Sequence, residues 1–329
     1  MPGSDRRDEF RLIADLFAPL AAGQPAGLNL LDDAACLPCP AGEELILTAD
    51  AMVEGVHFLA DDPPSTVARK ILRVNLSDLA AMGAEPVGYL LTTAWPDRID
   101  DAWIADFVAG LAEDQKSFAC HLLGGDTVST SGPLTLSLTA VGKVPRGGAL
   151  RRSGAAEGDC LFVSGTIGDA AMGLKALRGE LTALAQPDRA ALAERYRLPQ
   201  PRLALGTALR GLASAAIDIS DGLAQDLGHL AAVSGLGAEI RMSQVPISDP
   251  CLAALSALGL DLAAVLGGGD DYELLFTVPT ARRGDLTRAT ARLGVRVAEI
   301  GRMTKAGGIR AVGDDGADIR IPEKGWQHR

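Results

Sequence analysis

No run of 18 apolar residues occurs anywhere in the 329-residue sequence, so no membrane-spanning helix is expected. Basic residues are in the minority, 31 Lys and Arg against 42 Asp and Glu, for a net charge of −11. That balance disfavours binding to nucleic acid or to an anionic membrane through a basic surface. It leaves phosphorylated small molecules open, because bound metal ions reverse local charge. The opening segment "MPGSDRRDEFRLIADLF" is charged and lacks the apolar core of a signal peptide. The five cysteines, Cys36, Cys39, Cys120, Cys160 and Cys251, are an odd set without disulfide-framework spacing. Reduced thiols and a cytoplasmic location are the expectation. Cys36 and Cys39 stand two residues apart in "CLPC", but no second pair of matching spacing completes a zinc site. Also missing are the G-x-x-x-x-G-K-[ST] phosphate loop, the protein-kinase signatures, the D-x-D-x-D-G calcium loop and any short-period repeat.

What remains is an ordinary globular composition, 47% hydrophobic and 22% charged, in a chain long enough for two domains. Apolar spacing predicts helices over 9–18, from Ser65 through 66–81, and over 100–118, with strands at 45–49, 87–94, 119–123 and 134–144. The alternation in "LTLSLTAVGKV" marks 134–144 as a half-exposed strand. The Gly- and Arg-rich stretch 144–159 reads as a linker, placing domains at 1–146 and 147–329. Strands at 160–164, 215–219, 237–242, 272–278, 295–303 and 308–312 alternate with helices at 169–178, 188–196, 201–212, 222–234, 250–266 and 280–292. The fold class is α/β or α+β, with two domains and both parallel and antiparallel pairing.

Carboxylates recur where strands and glycine turns meet. "AIDISDGL" carries Asp218 and Asp221, "LLDDAACL" carries Asp32 and Asp33, and "LTAD" ends a strand at Asp50. "NLSDLAAMGA" sets Asp78 on a mostly apolar helix, "LLGGDT" ends a strand at Asp126, and "GGGDDYEL" holds Asp270 and Asp271. One Asp after a strand is ordinarily a turn former or a helix cap. A buried ionised carboxylate needs a partner, which can be a basic side chain, backbone N–H groups or a metal. Basic residues near these motifs are few, which favours hard cations such as Mg²⁺, Mn²⁺ or Ca²⁺. Several Mg²⁺ ions among aspartates suit phosphoryl transfer, in which the metals bridge phosphate oxygens.

Seven motifs in order, "LLDDAA", "TADAMVEGVHF", "NLSDLAAMGA", "GGDT", "LRRSGAAEGD", "IDISDGLAQDLGHL" and "GGGDDYEL", resemble the thiamine-monophosphate kinases. These belong to a larger family with aminoimidazole ribonucleotide synthetase and selenophosphate synthetase. The resemblance runs from about residue 10 to the end. It implies two α/β domains, with the N-terminal domains pairing into a homodimer. It implies ATP-dependent conversion of thiamine monophosphate to thiamine diphosphate by direct in-line transfer, assisted by several Mg²⁺ ions. No acid–base residue is assigned, because the attacking phosphate is already anionic. By the same resemblance Asp33, Thr48, Asp50, Asp78, Asp126, Asp218 and Asp221 are metal ligands. Gly125, Asp126, Arg152 and Ser220 contact ATP, and His57, Asp270 and Trp326 contact the thiamine substrate.

Three positions depart from the family pattern. Asn29, Leu30 and Leu31 stand in place of a Gly-x-Gly, Asp270 in place of Glu, and Ala49 where a Thr is common. The alternatives are another ATP-using member of the larger family or a non-catalytic thiamine-phosphate or nucleotide binder. An acidic Ca²⁺-binding protein is a further one.

Overall fold

The computed structural model of the chain describes residues 9–24, 26, 37 and 39–321. Asp32, Asp33, Asn29–Leu31, Cys36 and Trp326 lie outside these residues. The chain forms two compact units. One comprises the residues up to Leu79 together with Glu85–Gly147; the other comprises Ala80–Ala84 and the chain from Gly148 onward.

The first unit starts with α1 (Glu9–Leu12), which continues as a π turn over Ile13–Phe17 and a 3₁₀ turn over Ala18–Ala21. The single helix expected over 9–18 is thus broken near Pro19, which has no N–H to extend the α-helical ladder. Then come β1 (Glu43–Val53), α2 (Pro64–Ala81), β2 (Glu85–Pro96), α3 (Asp101–Phe118), β3 (His121–Thr130) and β4 (Thr135–Pro145). Helix α2 begins one residue before the expected Ser65, at Pro64, where a fixed φ is an advantage and the missing N–H costs nothing. Asp100 caps α3 by accepting the Trp103 N–H at 2.8 Å. The sheet order is β1-β4-β2-β3, with β2 and β3 parallel and the other pairs antiparallel.

One face of this sheet packs on α2 and α3. Tyr89, Leu91 and Trp95 of β2 and Leu136 and Leu138 of β4 are buried with Ile71, Leu72 and Leu76 of α2 and Ile104, Phe107 and Leu111 of α3. A buried ion pair ties the helices: Arg73 Nε and Nη2 donate to the two oxygens of Asp114 at 2.5 and 2.9 Å. On the other face Leu47, Ala49, Ala51, Leu90, Thr92 and Val128 are exposed, as strict period-2 alternation requires.

The second unit contains β5 (Cys160–Ser164), α4 (Asp169–Leu177), α5 (Gln186–Arg197), α6 (Leu203–Leu209), β6 (Ala215–Asp218), α7 (Leu223–Val233) and β7 (Gly237–Arg241). It continues with α8 (Asp249–Leu258), β8 (Leu274–Val278), α9 (Arg283–Thr290), β9 (Val297–Thr304), β10 (Gly308–Val312) and β11 (Asp318–Ile319). The seven strands lie in the order β11-β10-β7-β9-β5-β8-β6, and only β7 and β10 run parallel. Both faces are covered. Leu161, Val163, Ile217 and Leu275 meet Leu223 and Leu227 of α7 and Leu255 of α8. Phe162, Phe276 and Ala216 meet Leu205 and Leu209 of α6 and Leu286 of α9. The stretch expected to be a linker has no helix or strand over 146–159, yet Arg151 C=O accepts the Ala216 N–H at 2.8 Å and Leu150 N–H donates to Met82 C=O at 3.0 Å. The architecture is the two-domain mixed α/β class that the element pattern predicts. Among the described residues no helix is long and apolar enough to cross a membrane.

Candidate active site

In the first unit, two of the expected strand-end acids lie inside strands. Asp50 is within β1, paired with Leu138, and Asp126 is within β3, paired with Thr92. Each strand runs past the predicted end because its partner continues. The Gly125 backbone passes so close to β2 that a Cβ there would stand 1.8 Å from the Leu91 carbonyl oxygen. Thr48 and Asp50 point to the helical side. Thr48 Oγ1 donates to Asp78 Oδ2 at 2.5 Å, and the Asp50 N–H donates to Asn75 Oδ1 at 3.2 Å. Burial pushes the Asp50 carboxyl up to about 6, and the Asp78 charge adds to the shift. A cation beside the two carboxylates would relieve both effects.

Asp126 follows the opposite alternation. It lies on the exposed face with Thr92 and Val128, its carboxylate folded back to accept the Thr127 N–H at 2.8 Å. It is also on the far edge strand from Asp50, about 14 Å away for three strand spacings. One copy of this unit therefore brings Thr48, Asp50 and Asp78 together and leaves Gly125 and Asp126 apart from them. His57 sits in the turn after β1. Its Nδ1 accepts the Val53 N–H at 3.0 Å, which leaves the proton of the neutral ring on Nε2. Its carbonyl accepts from buried Lys70 Nζ at 3.0 Å.

In the second unit, β6 delivers Asp218 at its end, 3% exposed, and the chain turns through Ser220, Asp221 and Gly222 into α7. The loop before β8 packs onto this turn backbone to backbone. Asp270 N–H donates to Ser220 C=O and Tyr272 N–H to Ile219 C=O, both at 2.8 Å. A Cβ on Gly269 would lie 2.5 Å from the Ser220 carbonyl oxygen, so this glycine is there for the close approach of two loops. Asp270 and Tyr272 adopt φ of +68° and +49°, a conformation that non-glycine residues rarely take. Ser220 and Asp270, expected at the nucleotide and at the substrate, are neighbours.

Three acids absent from the expected set hold this arrangement. Asp271 accepts the Gly168 and Ala170 N–H groups at 2.8 and 3.4 Å, capping α4, and burial raises its carboxyl well above the usual carboxylate range. Glu273, fully buried, accepts from Arg195 Nη2 at 2.8 Å, Arg202 Nε at 2.6 Å and Ser164 Oγ at 2.6 Å. Asp226, buried on α7, accepts the Asp221 and Gly222 N–H groups at 3.0 and 3.1 Å. Burial lifts its carboxyl to about 7, the nearby Asp221 charge adds, and backbone N–H groups pull the other way. Periodicity could have found Asp226, which falls on the Leu223, Leu227, Leu230 stripe, and Glu273, which stands among the apolar residues of "ELLF". Their partners could not be read, because Arg195 and Arg202 are 78 and 71 residues away from Glu273.

Arg152 is exposed, and its backbone flanks the start of β6; its carbonyl accepts from Ser234 Oγ at 3.4 Å. Among the described residues no three His, Cys, Asp or Glu side chains form a ready metal cage. The donors suit Mg²⁺ nonetheless, since that ion usually takes one or two carboxylates and completes its shell with water and substrate phosphates.

Both halves of this architecture match one class of protein: AIR synthase related protein, N-terminal domain, over residues 31–144, and its C-terminal domain over residues 156–314. Within that class, a thiamine-monophosphate kinase of Caulobacter vibrioides is 44% identical over 330 residues, 99% of this chain and 92% of its own length. The crystal structure of a thiamine-monophosphate kinase from Stenotrophomonas maltophilia superposes with a TM-score of 0.82 at 38% identity, over 95% of this chain and 98% of the other. AaThiL complexed with AMPPCP and TMP superposes with a TM-score of 0.79 at 32% identity, over 98% and 97%. The chain belongs to the thiamine-monophosphate kinase family of AIR synthase related proteins.

Proposed function

We propose that the chain phosphorylates thiamine monophosphate with ATP, giving thiamine diphosphate and ADP in one direct in-line transfer. The observation that carries this reading is the full-length similarity to AaThiL, a protein solved with an ATP analogue and TMP. The acids of both units support it. Thr48, Asp50 and Asp78 in one, and Asp218 and Asp221 in the other, offer hard oxygens, and Asp33 and Asp126 extend the set. Mg²⁺ bound to them would neutralise charge on the phosphate oxygens.

The protein's own part is to orient and discriminate. His57 presents an N–H at Nε2 and suits a phosphate oxygen of the acceptor. Asp270, held by the Ser220 carbonyl, suits the cationic thiazolium ring, and Trp326 suits stacking on the substrate. Gly125, Ser220 and Arg152 contact ATP. The acceptor phosphate needs no deprotonation, so no general base is required.

The homodimer is part of this proposal. Leu47 (64% exposed), Leu90 and Val128 form a bare apolar sheet face of the kind that a second copy covers, and Asp126 lies on that same face. A cytoplasmic location is also part of this proposal. ADP release in a coupled assay tests the reading with three acceptor conditions. Release is expected with thiamine monophosphate and Mg²⁺, and not with free thiamine, without acceptor or with EDTA. Release that ignores the acceptor would point to another ATP-using member of the larger family. No release at all would favour a non-catalytic binder.

A further inference from the structure

Asp226 does work that a helix cap alone does not require. One oxygen, Oδ2, accepts both the Asp221 and the Gly222 N–H, at 3.0 and 3.1 Å. The side chain is inside the protein, 3% exposed, beneath the turn, so it cannot itself reach a ligand in solvent. In a helix cap, an acid of the first turn can reach back to the N–H of the residue that precedes the helix, here Gly222 at φ +122°. The bond to the Asp221 N–H is additional, and it buries a carboxylate to hold a residue outside the helix. The next residue toward the N-terminus of the helix acts from the outer side: Gln225 Nε2 donates to Asp221 Oδ2 at 2.9 Å. The Asp221 backbone is thus pinned from below by Asp226 and its carboxylate is turned by Gln225.

We propose that Asp226 is a positioning residue: by bonding the Asp221 and Gly222 N–H groups it fixes the turn so that the Asp221 carboxylate is presented to a metal-bound nucleotide. This rests on the reading of Asp221 as a metal ligand. Residues that orient metal ligands from behind typically affect metal affinity by about 10- to 100-fold when removed.

The test uses the full chain and four variants, Asp226→Ala, Asp226→Asn, Gln225→Leu and Asp221→Asn. Mn²⁺ binding in the presence of AMPPCP is read by EPR, and kcat and KM are read against Mg²⁺ concentration. Asp226→Ala is expected to weaken Mn²⁺ binding by about tenfold or more and to raise the half-saturating Mg²⁺ in parallel. The KM for thiamine monophosphate should stay within about twofold, since uniform substrate binding is untouched. Asp226→Asn keeps an oxygen for the two N–H groups and should return Mn²⁺ affinity to within about threefold of the parent. Parent-like Mn²⁺ binding by Asp226→Ala, even with a lowered melting temperature, would reduce Asp226 to a helix cap and overturn the proposal. So would equal loss in the Ala and Asn variants. If Asp226→Ala fails to fold, Gln225→Leu decides: weaker Mn²⁺ binding supports the two-sided hold on Asp221, and parent-like binding contradicts it. Asp221→Asn separates the two claims, because undiminished Mn²⁺ binding there would remove Asp221 from the ligand set whatever Asp226 does.

Discussion

The seven-stranded sheet of the second unit carries helices on both faces, whereas the four-stranded sheet of the first unit buries one face and leaves Leu47, Leu90 and Val128 open on the other. The strands reflect this. "LLFTV" of β8 is buried at every position, while β1 alternates from Ile46 to Met52. The acids differ in the same way. In the second unit Asp226, Asp271 and Glu273 are buried and bonded to backbone N–H groups or arginines, and they build the scaffold under Asp218, Asp221 and Asp270. In the first unit Asp50 and Asp78 face each other, and Asp126 stands on the open sheet face. The second unit partners Asp226, Asp271 and Glu273 within its own chain; the first leaves Asp126 and an apolar sheet face exposed.

Losing a proposed metal ligand from either unit should have the largest effect. Asp126→Asn and Asp221→Asn are each expected to lower kcat by about 10²- to 10³-fold, the scale of losing one electrostatic stabiliser of transferring charge. Steady-state kinetics alongside thermal melts would check that the fold survives. A loss confined to Asp221→Asn would remove Asp126 of the first unit from the proposed metal site.

The next effect is on stability and belongs to the second unit. Glu273→Ala removes the carboxylate shared by Arg195 and Arg202, leaving Arg195 only Asp169 at 3.9 Å, and should cost about 3–5 kcal/mol. Glu299→Ala removes only an exposed pairing with Arg283 and should cost about 1 kcal/mol or less. Urea melts of both would show whether the buried network is the scaffold it is taken to be; equal costs would argue against it.

The smallest energetic effect distinguishes the two surfaces. Leu90→Glu should convert dimers to monomers in sedimentation velocity without unfolding the chain. Val233→Glu, at an exposed apolar position of the second unit, should leave the sedimentation coefficient unchanged. A monomeric parent protein, or a dimeric Leu90→Glu, would contradict the role given to the open face.

Much of this division is legible in the residues. "CLFVS" reads as a strand over 160–164 and is one, and the alternation of 134–144 marks β4 as half exposed. The acids were visible as a recurrent feature because carboxylates beside apolar strands are costly. Their grouping was not visible. Asp126 falls on the opposite sheet face from Asp50 only because of the register of β3 on β2, which shifts at a bulge between Tyr89 and Leu90. The glycines before Asp126 and Asp270 suggest phosphate approach, yet Gly125 and Gly269 are required by backbone packing. Asp226 and Glu273 fall on apolar stretches of the sequence, but their role depends on partners brought in by the fold.

The most direct test of the proposed activity is a phosphorus NMR time course of the purified chain with ATP, Mg²⁺ and thiamine monophosphate. The monophosphate signal should give way to the paired signals of thiamine diphosphate, with ADP formed in equal amount, and free thiamine should yield neither. ADP accumulating while the thiamine monophosphate signal stays unchanged would contradict it.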